Sequence, residues 1–115
     1  MNKLLVDGHE NIEKVFGYWP SFHDNIIDKI EISDGEITLY FKMENTLNGI
    51  KLYNGIKLMF CGVEKFSLEG EPYGCASIIL EIESKKMDNY IETHISSSLG
   101  ASGFIHSNRL QIEFV

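Results

Sequence analysis

The sequence predicts an α+β domain: a mainly antiparallel β-sheet of five to six strands, as a meander or small sandwich, with one short N-terminal helix. Three observations carry this prediction. Apolar residues recur with a period of two over most of the chain, as in Ile37, Leu39 and Phe41 or Ile56, Leu58 and Phe60, which is the signature of half-buried strands. Turn signals such as Asp34-Gly35 interrupt that period at short intervals. Helical spacing occurs only before Gly17, so no helix separates consecutive strands and a parallel βαβ layout is disfavoured.

The elements follow in order. Asp7 reads as a helix N-cap with Glu10 completing a capping box. Ile12, Val15 and Phe16 recur at helical spacing and Gly17 supplies a stop, giving a helix over about residues 8 to 16. Pro20 then forces Trp19 out of helical geometry. In the first strand Ile26, Ile30 and Ile32 share one parity, with Lys29 and Glu31 on the other. Asp34-Gly35 turns it into a second strand with Ile37, Leu39, Phe41 and Met43 facing in and Thr38, Tyr40 and Lys42 facing out. Asn45 to Gly55, with Asn48-Gly49 and Asn54-Gly55, reads as a loop or broken edge. A strand begins at Ile56 and is expected to continue through Val63 towards Leu68, and Glu69 to Gly74 is a turn. Ala76, Ile78, Leu80 and Ile82 form the next inward face, opposed by Glu81 and Glu83. Lys85 to Asp88 is a turn, Asn89 to Ser96 a strand, Ser96 to Gly103 a small polar connection, and Leu110 to Phe114 the last strand.

With 115 residues, one domain spanning 1–115 is expected, and a chain of this size buries roughly 65% of its unfolded surface without needing staples. Its 17 acidic and 10 basic residues give a net charge of −7. That balance repels phosphate backbones and disfavours nucleic-acid partners, while it suits a basic protein partner or simply solubility. Cys61 and Cys75 lack zinc-site spacing, and Cys61, in an apolar run, reads as a buried, inert thiol. No long apolar stretch indicates a signal peptide or membrane span, so a cytoplasmic location is expected.

The densest local signal is Trp19-Pro20-Ser21-Phe22-His23-Asp24. Trp19 and Phe22 read either as plugs for one end of a β core or as interface anchors. His23 and Asp24 read either as groups that shape a turn or as half of a metal site. His94 and His106 complete no recognisable triad, since a G-x-S-x-G elbow and a cysteine-nucleophile signature are both absent. Gly100-Ala101-Ser102-Gly103 lacks the lysine of a phosphate loop. Asp24, Asp28, Glu31, Asp34 and Glu36 gather acidic charge around the first hairpin, as a solvated face or as a patch for a cationic surface.

The segment Phe16-Gly17-Tyr18-Trp19-Pro20-Ser21-Phe22-His23-Asp24, leading into an Ile-rich strand, resembles the signature of the immunity protein 50 family. The likeness extends through Leu58 to Glu64 and the closing Gly103-Phe104 and Leu110 to Phe114, although only the Trp-to-Asp portion is specific. The resemblance implies a small, non-catalytic, cytoplasmic antidote, without cofactors or metal, encoded beside a bacterial polymorphic toxin. It implies tight binding of one cognate, possibly basic, toxin domain, with acidic side chains standing in for phosphate. Trp19, Asp24, Asp28, Glu31, Asp34 and Glu36 are the toxin-facing residues expected on this reading, in a monomer or weak homodimer. Two other functions stay open: a small metal-dependent hydrolase using His23 and Asp24, and a general protein-interaction module.

Overall fold

The expected hairpin at Asp34-Gly35 is present, and it organises one half of the molecule. Both turn residues have positive φ, 42° at Asp34 and 76° at Gly35, and Ser33 pairs with Glu36 across a two-residue loop. This is the conformation whose twist matches the strands that flank it.

The computed structural model describes residues 1–47, 50–70 and 77–115, with side chains described for these except 43–47, 50–54, 77, 80 and 99. A 3-10 turn at Lys3–Leu5 precedes β1 (Val6–Asp7) and α1 (His9–Phe16). The strands that follow are β2 (Ile26–Ser33), β3 (Glu36–Leu47), β4 (Ile50–Cys61) and β5 (Lys65–Glu69). β6 (Ser77–Lys86), β7 (Ile91–Leu99), β8 (Ser102–Ser107) and β9 (Arg109–Phe114) complete the chain. They form one sheet in the order β1-β9-β4-β3-β2-β6-β7-β8-β5. All neighbours are antiparallel except the short parallel pair β1 and β9.

The sheet acts as two leaves. β2 pairs with β3 along its whole length, and among the described residues it pairs with β6 through Ile26 and Ile27. The leaf β1-β9-β4-β3-β2 joins the leaf β6-β7-β8-β5 through that pairing, and β4 to β5 and β8 to β9 cross between leaves through short links. In-register rows line the first inner face: Ile37, Phe60 and Leu110, then Leu39, Leu58 and Ile112. Ile82 opposite Ile95, and Thr93 opposite Ile105, line the second. These side chains join one buried cluster drawn from both leaves, the arrangement of a sandwich core. Ile12 and Phe16 of α1 close one end of it.

The nine strands among the described residues exceed the five to six expected, for identifiable reasons. The supposed loop Asn45 to Gly55 belongs to two twelve-residue strands, β3 and β4; the Asn48-Gly49 turn lies outside the described residues. The strand expected from Ile56 to Leu68 ends at Cys61, where the chain turns and crosses to the other leaf as β5. The polar segment Ser96 to Gly103 is the end of β7 and the start of β8. A side chain at Gly103 would strike the Ser67 carbonyl oxygen, so glycine there lets β8 and β5 pair. β6 runs on to Lys86, so the turn expected from Lys85 begins at Met87. Pro72, Gly74, Cys75 and Ala76, which were expected to form the preceding turn and enter β6, lie outside the described residues, as do the side chains of Met43 and Leu80.

Two β-bulges also overturn simple alternation. A register shift between Ile27 and Lys29 puts Ile27, rather than Ile26, on the inner face with Ile30 and Ile32. Ile27 is buried, Ile30 partly buried, and Ile32, at the end of the strand, 55% exposed. Shifts around Ile79 bury both Ile79 and Ile82, although they differ in parity. An extra residue on one strand reverses which face its side chains occupy.

The capping box is absent as well. Asp7 sits in β1 opposite Gln111, and Gly8 is the helix N-cap, with φ 93°. A Cβ at Gly8 would lie 2.4 Å from the Ile112 carbonyl oxygen, so close approach of α1 to β9 selects glycine over a capping side chain. Gly17 ends the helix as expected, its N–H donating to Glu13 O at 2.7 Å. Val15, expected on the apolar stripe, is 49% exposed.

Phe22 fills the hinge between the leaves. Its ring is fully buried, 5.2 Å from that of Phe41 and 5.8 Å from that of Trp19. Phe22→Ala should lower stability by about 3–5 kcal/mol, read from urea midpoints; a loss below about 1 kcal/mol would remove the ring from the list of core contacts.

Candidate functional site

The Trp-Pro-Ser-Phe-His-Asp segment is a corner built from backbone hydrogen bonds. Phe22 and Asp24 have φ of 66° and 63°, a region that bulky residues occupy only when their surroundings hold them there. Those surroundings are visible. Asn25 N–H donates to Phe22 O (3.1 Å) and Asp24 N–H to Ile79 O (2.8 Å), while Ile79 N–H donates to Asn25 O (2.9 Å). The segment thus docks on the bulge of β6 and ties the leaves together. Pro20 is buried and Ser21 exposed, its Oγ accepting from His23 N–H at 3.3 Å. Trp19 is half-buried, with Nε1–H donating to Met1 O at 2.9 Å and its ring edge-on to Phe22.

His23 and Asp24 are both exposed, with Nε2 and Oδ2 3.5 Å apart. Among the described residues no group of three or more His, Cys, Asp or Glu side chains is placed to hold a metal ion. Asp24 contributes chiefly its backbone, because Asp tolerates the left-handed conformation better than most residues.

The acids expected to form one patch are not brought together. Asp24 lies before β2 and Asp34 after it, about 25 Å apart by the rise of a strand. On the flank between them, Asp28 is 3.6 Å from Lys42 Nζ, and Glu31 is 2.5 Å from Lys29 Nζ and accepts from Tyr40 Oη at 3.2 Å. The Lys29 ammonium holds the Glu31 carboxyl below its usual range. Lys57, paired with Glu113 at 2.9 Å, extends this row of compensated charge along the outer face of the first leaf. Cys61 lies there too, half-buried with Sγ 3.8 Å from Gln111 Oε1, and not enclosed in apolar surroundings as expected.

The hairpin tip differs. Among the described residues no cationic group lies within ion-pair distance of Asp34, Glu36 or Glu64. Beside these carboxylates is an open groove of about 220 Å³ lined by Ile32, Gly35, Glu36, Ile37, Val63, Glu64 and Phe66. Ile32 and Phe66 are 55% and 43% exposed. Apolar surface rimmed by unpaired negative charge is a form that interaction sites take. Asp34 and Glu36 were legible in the sequence; the grouping of Glu64, Ile32 and Phe66 was not, because their proximity depends on the break after β4.

A second cluster lies on the outer face of the other leaf; the sequence singles out its His94 and His106 but not their neighbours Glu92, Phe104 and Tyr90. Glu92 and His94 on β7 face Phe104 and His106 on β8. Tyr90 stacks on His106 with centroids 4.4 Å apart. Glu92 hydrogen-bonds His94 and lies 3.7 Å from His106 Nε2. The i, i+2 spacing within each strand was the available signal, but the register that joins them was not.

Two predictions follow from these groups. Asp24→Gly should leave stability unchanged or raised, whereas Asp24→Ala should lower it by about 1 kcal/mol; equal losses in both would show that the turn needs the carboxylate. The hydrogen bond from His94, then the charges of His94, His106 and Lys85, hold the Glu92 carboxyl below its ordinary 4.5 against the opposing effect of burial. A carboxyl lowered in the folded state contributes stability above its unfolded pKa, and that contribution is lost as pH falls through the folded value. Glu92→Gln should therefore flatten part of the fall in urea midpoint between about pH 5 and about pH 3, and an unchanged slope would exclude the effect.

No helix among the described residues is long and apolar enough to cross a membrane. No family model matches this chain, and no curated protein or solved structure matches it.

Proposed function

We propose that this chain is an immunity protein that binds a cognate bacterial toxin domain and neutralises it without catalysis. The likeness of Phe16 to Asp24 to the immunity protein 50 signature supports the reading. The observation that carries the binding surface is the hairpin tip, where Glu36 and Glu64 line a groove with exposed Ile32 and Phe66, and Asp34 stands in the adjoining turn. Unpaired carboxylates attract a basic surface from a distance and speed encounter, and the apolar groove supplies contact area for residence. The acids of the flank serve less well, since Lys29 and Lys42 already occupy Glu31 and Asp28. In this proposal the Trp-to-Asp segment shapes the fold, and the tip meets the partner.

The test is growth rescue, co-expressing the chain with the C-terminal domain encoded by its upstream neighbour. Protection is expected, and a toxic neighbour against which the chain neither protects nor binds would overturn the proposal. Neutralising the tip (Asp34→Asn, Glu36→Gln and Glu64→Gln together) should weaken binding roughly tenfold or more, with a loss that shrinks as salt is raised. Neutralising Asp28 and Glu31 instead should change affinity by less than about threefold.

A further inference from the structure

β5 ends the sheet, and its sequence is complementary to itself. One edge pairs with β8, from Lys65 opposite His106 to Glu69 opposite Ser102. Among the described residues no strand pairs with the other edge. Lys65, Phe66, Ser67 and Glu69 are exposed, and Leu68 is half-buried. An open edge presents unpaired N–H and C=O groups to any extended chain, unless proline, a bulge or an inward-pointing charge blocks it. Lys65-Phe66-Ser67-Leu68-Glu69 contains no proline and pairs with β8 without a register shift. Its alternation places Lys65, Ser67 and Glu69 on the outer face, with Phe66 opposite buried Ile105 on the inner one. The opposite end of the sheet is β1, only two residues long, so it offers little to pair with.

We propose that the free edge of β5 pairs antiparallel with the same edge of a second copy of this chain, about a two-fold axis through Ser67. That register sets Lys65 against Glu69 of the partner subunit, and Glu69 against the partner's Lys65. Phe66 then meets Leu68 of the partner subunit on the inner face, covering the exposed ring beside Ile32 and Val63. Charge fixes the register. A parallel arrangement in register sets Lys65 against Lys65 and Glu69 against Glu69, and the antiparallel register centred on either residue sets that residue against itself. Directly opposed like charges destabilise strand pairing, and opposite charges favour it. Only the arrangement centred on Ser67 pairs all five residues while matching both charge and apolarity. Its contact area is small, so the dimer is a weak one that forms at high concentration.

The test uses the chain alone, without a toxin, so its outcome is separate from that of the proposed function. Sedimentation velocity over a concentration series reaching the millimolar range should show a monomer–dimer equilibrium. Lys65→Glu and Glu69→Lys should each raise the dissociation constant about tenfold or more, because two attractive cross-strand pairs become repulsive. The double variant K65E/E69K should return it to within about threefold of the original. All these substitutions are on an exposed face, and an unchanged thermal midpoint for each confirms that folding is intact. A chain that stays monomeric throughout would overturn the proposal, as would a dimer indifferent to the single swaps or one not restored by the double.

Discussion

Everything in this fold hangs on holding Phe22 in a backbone conformation that it would not choose. At φ 66° the residue sits in the left-handed region, which costs a bulky side chain of order 1–3 kcal/mol. Burial of the ring against Phe41 offsets that cost, and the reciprocal hydrogen bonds between Asp24, Asn25 and Ile79 keep the turn closed. Among the described residues two pairs join β2 to β6, and the plug and its clasp hold the chain at that junction. The bulges in β2 and β6 flank the same point, adding the local twist that lets a continuous ladder fold back on itself.

Charge is distributed unevenly over this frame. On the outer face of the first leaf, lysines accompany carboxylates: Lys29 with Glu31, Lys42 with Asp28, Lys57 with Glu113. Exposed pairs of this kind contribute little to stability. Their effect is on the field that the molecule projects, since each pair cancels locally and leaves the net negative charge concentrated where no cation stands nearby. The hairpin tip is such a place, and it is also where apolar side chains reach solvent. A uniform acidic surface projects its field evenly; this one concentrates it at the tip.

Local rules were enough for part of the architecture. The strand alternation of Ile37, Leu39 and Phe41, the Asp34-Gly35 turn, and the Gly17 stop were legible because each depends on neighbours in sequence. The failures share a cause in contacts that are distant in sequence. Gly8 displaces the capping box because β9 lies under the helix. Ile27 turns inward, onto the face of Ile30, because a bulge intervenes. Ser96 and Ser97 form strand despite their polarity because pairing with β6 satisfies one edge, and on the other Ser102 Oγ accepts from Ser97 N–H. The candidate surface was read in halves for the same reason. The acids of the first hairpin were visible, but their division into compensated and uncompensated sets depends on which lysines cross-strand pairing delivers. Within the motif the strongest structural role falls to Phe22 and the backbone of Asp24 rather than to the His-Asp side chains.

The pairing of β1 with β9 has a consequence for synthesis. Val6 meets Leu110 and Asp7 meets Gln111, while Leu110 and Ile112 complete the inner rows begun by Ile37 and Leu39. β1 thus waits for β9, and the central strand β4 keeps one edge open until β9 has been made. Contacts between residues so distant in sequence slow folding, so an unsealed edge stays open to wrong pairings until β9 arrives.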